Sequence, residues 1–232
     1  MAPTDKAENK PKRRVFCIGL PKTCLTSLLR FMEANGFDAH GRTSSAFKSY
    51  IRGELSDVLD FYQTGEFYCD VPTHLMYQLL FSEYGKDAKY ILTIIRDGGG
   101  WYNSICRHNR YAHPLKNKHK KLYGRYYPHG FKSEHVDYYN KHFNDVVSYF
   151  EKNNAMENLL VIDCTQEGAV KKLEDFLGIE SVVDSFPHKN KANAIRPGFS
   201  FRFKYFYNKI VQPIYAAVAP LLFRKPPPRS WQ

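Results

Sequence analysis

The chain has 232 residues, enough for one sizeable core, and it is 43% hydrophobic and 16% aromatic, which excludes a wholly disordered polypeptide. Its formal net charge of +11 is unevenly placed: residues 1–184 hold 25 Lys and Arg against 23 Asp and Glu, whereas residues 185–232 hold nine Lys and Arg and no acid. The five cysteines (17, 24, 69, 106 and 164) are odd in number and form no CxxC pair, so they argue against a disulfide framework or a zinc site and for a reducing compartment.

Residues 1–14, MAPTDKAENKPKRR, are polar and basic and hold no apolar core of signal-peptide length; a solvated tail is expected. VFCIGL (15–20) reads as a buried strand, with a helix after it from about Thr26 to Asn35 that Gly36 ends. FDAH is a short second strand, and one long, partly amphipathic stretch runs from Ser44 to about Tyr62. EFYCDV (66–71) is a third strand and Pro72–Tyr84 a helix. AKYILTII (88–95) is the clearest buried strand, and a helix is expected from about Trp101. Ser133–Asn153 reads as a helix, NLLVIDC (158–164) as a last strand and AVKKLEDFLGI as a helix ending at a glycine. Such alternation implies right-handed βαβ crossovers, hence an α/β fold with a central parallel sheet of about five strands and helices on both faces. Ligands of such sheets bind beyond the C-terminal strand ends. The polar stretches Pro21–Ser27, Asp70–His74 and Arg96–Ser104 each follow a strand.

The strand–turn–helix unit at 15–37 aims backbone N–H groups and the positive end of a helix at one point, which suits an anion. Lys22 adds a full charge, and Thr23, Thr26 and Ser27 add hydroxyl donors. GxxxxGK[ST] is absent, so this is not a Walker A loop; an ordinary turn with a chance lysine is the plain alternative. In IIRDGGGWYNSICRH, Arg96 leaves the end of a strand and Ser104 lies eight residues on, within the first turns of the next helix. They suit a second phosphate, the arginine through a charge-assisted fork. The alternatives are a salt bridge at a strand end and a plain helix residue.

Together, PKTCLTS at Pro21–Ser27 and RDGGGWYNS at Arg96–Ser104 resemble the PAPS-dependent sulfotransferases, in particular the divergent branch with PKTGTTSL-like, D-x-P and ILTVRD-like blocks. The likeness covers residues 15–37, 66–108 and FPHKN at 186–190. It implies a P-loop-type three-layer sandwich and PAPS (3′-phosphoadenosine 5′-phosphosulfate) as donor, with no metal. By the resemblance, Lys22, Thr23, Cys24, Leu25, Thr26 and Ser27 hold the 5′-phosphosulfate, and Arg96 and Ser104 the 3′-phosphate. Lys22 also meets the charge that develops on the bridging oxygen. For the base that accepts the acceptor's proton there are two neighbours in CDVPTHL: His74, whose THL resembles the segment carrying the family's catalytic histidine, and Asp70 of the D-x-P block. A helix-face histidine and a helix N-terminal anion are their structural alternatives. The chain departs from the pattern at Cys24, where the family has glycine, at Leu25, where it has threonine, and at Gly98–Gly99–Gly100, where a mobile loop is expected.

HPLKNKHKKLYGRYYPHG (113–130) carries five Lys and Arg, several Tyr and no acid. It reads as a lid over a sulfated or carboxylated sugar or as a solvated loop, and nucleic acid is the least favoured partner. The chain divides into a tail (1–14), an α/β domain (15–198) and a basic, aromatic segment (199–232), which either docks on the domain or lies in an anionic membrane interface. The expectation is a sulfotransferase acting on a hydroxyl of a small-molecule or carbohydrate acceptor, in the cytoplasm or peripheral on a membrane. A catalytically impaired nucleotide- or glycan-binding protein and a P-loop kinase are the alternatives.

Overall fold

Five short strands form the centre of the protein: β1 (Val15–Cys17), β2 (Ala39–His40), β3 (Phe67–Tyr68), β4 (Lys89–Thr93) and β5 (Leu159–Ile162). They make one all-parallel sheet in the order β2-β3-β1-β4-β5. The computed structural model describes residues 13–109, 119–124 and 128–187, together with 203, 206, 207, 210–214, 217 and 218. The tail as far as residue 12, residues 110–118 and 125–127 of the basic Tyr-rich segment, residues 188–190 of FPHKN and the stretch 191–200 lie outside the described residues.

Among the described residues, the sheet is connected and covered by the helices α1 (Leu25–Ala34), α2 (Ser44–Arg52), α3 (Leu55–Tyr62), α4 (Tyr77–Tyr84), α5 (Gly98–Asn109), α6 (His119–Tyr123), α7 (Lys132–Lys152) and α8 (Ala169–Leu177). Alternation along the strands divides the core in two. Val15, Cys17, Phe67 and Ile91 face α1 and α8, where they meet Leu28, Phe31, Met32 and Leu173. Phe16, Ile18, Tyr68, Tyr90 and Leu92 face the other way, onto Val58 and Tyr62 of α3, Leu80 of α4, and Val146 and Phe150 of α7. Fully buried Phe16 sits among Tyr62, Tyr68, Tyr84 and Tyr90, with ring centroids 5.1–5.8 Å away. Burying one such ring contributes about 1.5–3 kcal/mol by transfer alone, so both faces are well anchored.

Three expectations change in detail. The stretch from Ser44 to Tyr62 is two helices, broken at Gly53 with φ +79°, a conformation glycine adopts without steric cost. Cis-Pro72 is followed by a 3-10 turn at Thr73–Leu75, and the regular helix begins only at Tyr77. The glycine triplet is not a loose loop: Gly98, Gly99 and Gly100 form the first turn of α5. Asp97 caps that turn, its Oδ1 accepting the Gly100 N–H at 2.7 Å. Close packing accounts for one of these glycines, since a Cβ at Gly98 would lie 3.0 Å from Val136 Cγ1 of α7. Within 113–130, α6 is folded onto the domain: His119 and Leu122 are buried, and the His119 ring stacks on His135 of α7.

The connection after β1 runs to one side of the sheet and the connection after β4 to the other, so the crevice between these two strands is the topological switch point. The chain beyond β1 crosses β4 closely there. A Cβ on Gly19 would lie 1.9 Å from Thr93 Oγ1 and 2.7 Å from the Thr93 carbonyl oxygen. The side chain could turn away but the backbone cannot. Gly19→Ala should therefore lower stability by roughly 2–3 kcal/mol or more, the upper end of overpacking costs, read as a lower urea midpoint; an unchanged midpoint would show that the crossing has slack.

Candidate active site

The segment from Ile18 to Cys24 is held from three sides. Beneath it, the Thr23 hydroxyl donates to the Leu20 carbonyl at 2.6 Å and pairs with the Thr93 hydroxyl at 2.6 Å. From α5, the Trp101 indole N–H donates to the Pro21 carbonyl at 2.9 Å. From α7, His142 donates from Nε2 to the Ile18 carbonyl at 2.8 Å, and Tyr139 grips the peptide after β4, donating to the Ile95 carbonyl and accepting the Ile95 N–H. Helix α7 thus clamps the chain leaving both strands of the switch point. Because Thr23 is fully buried and its proton is spent on Leu20, its hydroxyl is a structural fastener and does not reach a ligand as a donor.

The backbone here is wound into an anion nest. Lys22 and Cys24 both lie in the left-handed region, with φ 79° and 68°, and Cys24 is the N-cap of α1. The amides of Lys22, Cys24, Leu25 and Thr26 find no acceptor among the described residues, while Thr23 N–H bonds Leu20 and Ser27 N–H bonds Cys24. Four free N–H groups at a helix N-terminus suit a phosphate or sulfate oxygen cluster. The Thr26 hydroxyl at the surface and the half-buried Ser27 hydroxyl carry no partner among the described residues. Leu25 is 5% exposed and packs into the core with Leu28 and Phe31, so it presents only its N–H to the nest. An apolar residue is tolerated there because its side chain faces away from the anion.

Asp70 also has a left-handed backbone, with φ 68°, and its Oδ1 accepts the N–H of Val71 at 2.8 Å. Of the four non-glycine residues with positive φ among the described residues, three are Lys22, Cys24 and Asp70. Such conformations cost about 1–3 kcal/mol each and persist where the surroundings enforce them. Burial holds the Lys22 ammonium below its usual pKa, with Arg107 adding to the shift and Asp70 opposing it. Burial raises the Asp70 carboxyl, against the Val71 N–H, Arg42 and Lys22. His108 is pushed down by burial and by Lys22 and Arg42. Lys22 and Asp70 therefore act on one another's charge, Arg107 also acts on Lys22, and Arg42 acts on both Asp70 and His108.

The two candidate bases part company here. His74 is fully buried, its ring nitrogens make no well-formed hydrogen bond among the described residues, and its ring meets His142 edge-on at 6.0 Å. Burial, helped by His142, pushes its pKa down to about 3, with the Asp70 backbone opposing weakly. Asp70 is only partly buried, and its charge interacts with that of Lys22. Arg96 stands exposed beyond β4 without an ion pair among the described residues. Ser104 is on α5, with its side chain half-buried.

Arg42, Arg107 and His108 escaped sequence reading, although each carries a signal. Arg42 follows the C-terminal end of β2, and Arg107 and His108 lie three and four residues after Ser104, on its face of α5. The inward fasteners Thr93, Trp101, Tyr139 and His142 leave no such mark, since their roles depend on long-range contacts.

Two consequences are measurable. Cys24→Gly should preserve or raise stability by up to about 1 kcal/mol, while Cys24→Val, β-branched in a left-handed site, should lower it by about 1–2 kcal/mol; chemical denaturation reads both, and equal effects would mean the conformation relaxes. His74 has a depressed native pKa, so its contribution is full above pH 6.5 and is lost as pH falls toward 3, at up to about 1.4 kcal/mol per pH unit. His74→Phe should flatten the loss of stability between pH 7.5 and 5, values bracketing the ordinary histidine pKa of about 6.5, and an identical pH profile would mean the ring is not buried neutral.

A family model described as a sulfotransferase domain matches residues 14–195, and no curated protein matches the sequence. The match takes in β1 through α8, and with them the amide nest, Asp70, Arg96 and Ser104, and it spans well over half of the chain. The chain belongs to the sulfotransferase family.

Proposed function

We propose that the protein transfers the sulfuryl group of PAPS to a hydroxyl of a small-molecule or carbohydrate acceptor. The observation that carries this reading is the nest of four free amides beside Lys22, with the Asp70 carboxylate as its electrostatic neighbour. The nest and Lys22 suit the 5′-phosphosulfate, with the hydroxyls of Thr26 and Ser27 at its edge. Arg96, just beyond β4, and Ser104, on the α5 helix that follows, are assigned to the 3′-phosphate.

In this reading Asp70, and not His74, is the base. It accepts the proton of the acceptor hydroxyl as that oxygen forms a bond to sulfur in line with the departing bridging oxygen. A raised pKa makes the carboxylate a stronger base than an exposed aspartate. Lys22 lies where negative charge grows on the leaving oxygen. His74 shapes the floor behind Asp70. The left-handed Cys24 is the one observation favouring a binding-only protein, because it places a side chain where the family has glycine.

Calorimetry with adenosine 3′,5′-bisphosphate should give saturable binding that Arg96→Ala weakens at least tenfold, the scale of one charge-assisted hydrogen bond. In a screen of hydroxyl acceptors with labelled PAPS, Asp70→Asn should cut turnover by about 10²–10⁴ without changing donor binding, and His74→Phe by less than about tenfold. Absence of nucleotide binding would sink the sulfotransfer reading. Nucleotide binding without turnover on any acceptor would favour the binding-only protein. A larger loss for His74→Phe than for Asp70→Asn would reverse the choice of base.

A further inference from the structure

The described residues between 203 and 218 are all helical. Gln212 is fully buried there, and its Nε2 donates to the Asn109 carbonyl at 2.7 Å, at the last residue of α5. Phe203, Phe206, Tyr207, Ile210, Ile214 and Val218 are instead between 40% and 65% exposed. On a helical wheel at about 100° per residue, the sequence positions of these six fall within an arc of about 120°, and position 212 falls on the opposite side. A helix that completes a core turns its apolar stripe inward. This one is seated by an amide and turns the stripe to solvent. The remaining exposed large hydrophobics among the described residues (Ile51, Leu55, Met156 and Val182) are scattered along the chain, whereas contiguous apolar exposure marks a docking surface.

Charge selects the occupant. Arg202, Lys204 and Lys209 are interleaved with the stripe in sequence, Arg224, Lys225 and Arg229 follow it, and no acid occurs after Asp184. An apolar groove on another protein accounts for the stripe but not for a run of cations without a single carboxylate. An anionic bilayer surface accounts for both, since apolar side chains enter the acyl boundary while Lys and Arg meet the headgroups. Spanning is not available to this segment. Its longest uncharged run, Ile210–Phe223, has 14 residues and two prolines, against the ~20 a crossing helix needs. Among the described residues no helix is long and apolar enough to cross a membrane.

We propose that this helix is an interfacial anchor that lies in the plane of an anionic lipid bilayer, inserting Phe203, Phe206, Ile210 and Ile214 below the headgroups. The anchor does not depend on the chemistry assigned to the site. It has a spatial consequence all the same, because its seat is the end of α5, the helix that carries Ser104, Arg107 and His108.

Vesicle flotation of the full chain tests it, with phosphatidylcholine vesicles that contain or lack phosphatidylserine. The chain should float with the anionic vesicles, remain largely behind with the neutral ones, and be released by high salt. The triple variant Phe206→Ser, Ile210→Ser, Ile214→Ser should lose at least about tenfold in partitioning, because three apolar side chains no longer enter the acyl boundary, and should keep its thermal midpoint because the three positions are exposed. Lys204→Glu with Lys209→Glu should weaken flotation on anionic vesicles alone. The proposal is overturned if the chain does not float with anionic vesicles, or if the triple variant floats as well as the parent. It is equally overturned if light scattering finds a lipid-free dimer that the triple variant converts to monomer, since the stripe then pairs two copies of the chain.

Discussion

The site depends on one crossing, where the chain leaving β1 passes over Thr93 at the end of β4. Gly19 leaves room for it, and the Thr23 and Thr93 hydroxyls, 2.6 Å apart, fasten it. Thr93 Oγ1 also lies 3.7 Å from Cys17 Sγ, so one side chain ties the last residue of β1, the turn and β4 together. A buried hydroxyl must find partners or cost desolvation. Here the partners are the very segments that have to be brought into register. The left-handed turns at Lys22 and Cys24, and the four free amides they expose, follow from a chain pinned at both ends with no slack between them.

Strain and function coincide in this arrangement. Lys22, Cys24 and Asp70 hold backbone conformations that unrestrained side chains avoid, and the first two frame the free amides of the turn. The cost is tolerated because the clamps are rigid: Trp101 from α5, and Tyr139 and His142 from α7. Burial acts on the charges in the same place, lowering the proton affinity of Lys22 and raising that of Asp70, so the two groups stand nearer in pKa than they would in water. Neighbouring groups tuned in opposite directions are a mark of sites that handle protons and developing charge.

Most of the scaffold was legible from local pattern. Apolar runs placed all five strands, and the glycines at 36, 53 and 178 sit at helix ends or breaks. Strand ends were overestimated because the apolar runs continue after the chain turns out of the sheet; Ile18 and Ile94 still donate across it, to the Ile91 and Ile162 carbonyls, but lie just past β1 and β4. The glycine triplet misled because propensity argues against a helix there, whereas the Asp97 cap and the packing of Gly98 on α7 override it. At the site, the residue types were readable but their directions were not. Thr23 looked like a ligand donor and faces the core. His74 looked like a base and is sealed in. Whether a hydroxyl or an imidazole points into a crevice depends on partners far along the chain, Thr93 for Thr23 and His142 for His74, which no local spacing encodes.

The indole of Trp101 is fully buried, and its N–H is committed to the Pro21 carbonyl, the residue before the first left-handed turn. The chain has two tryptophans. With Trp231 replaced by phenylalanine, the remaining emission comes from a fluorophore bonded directly to the loop. Its wavelength and quenching then follow the state of that carbonyl, so the protein carries its own optical gauge of how the turn moves, one that needs neither an acceptor nor a label.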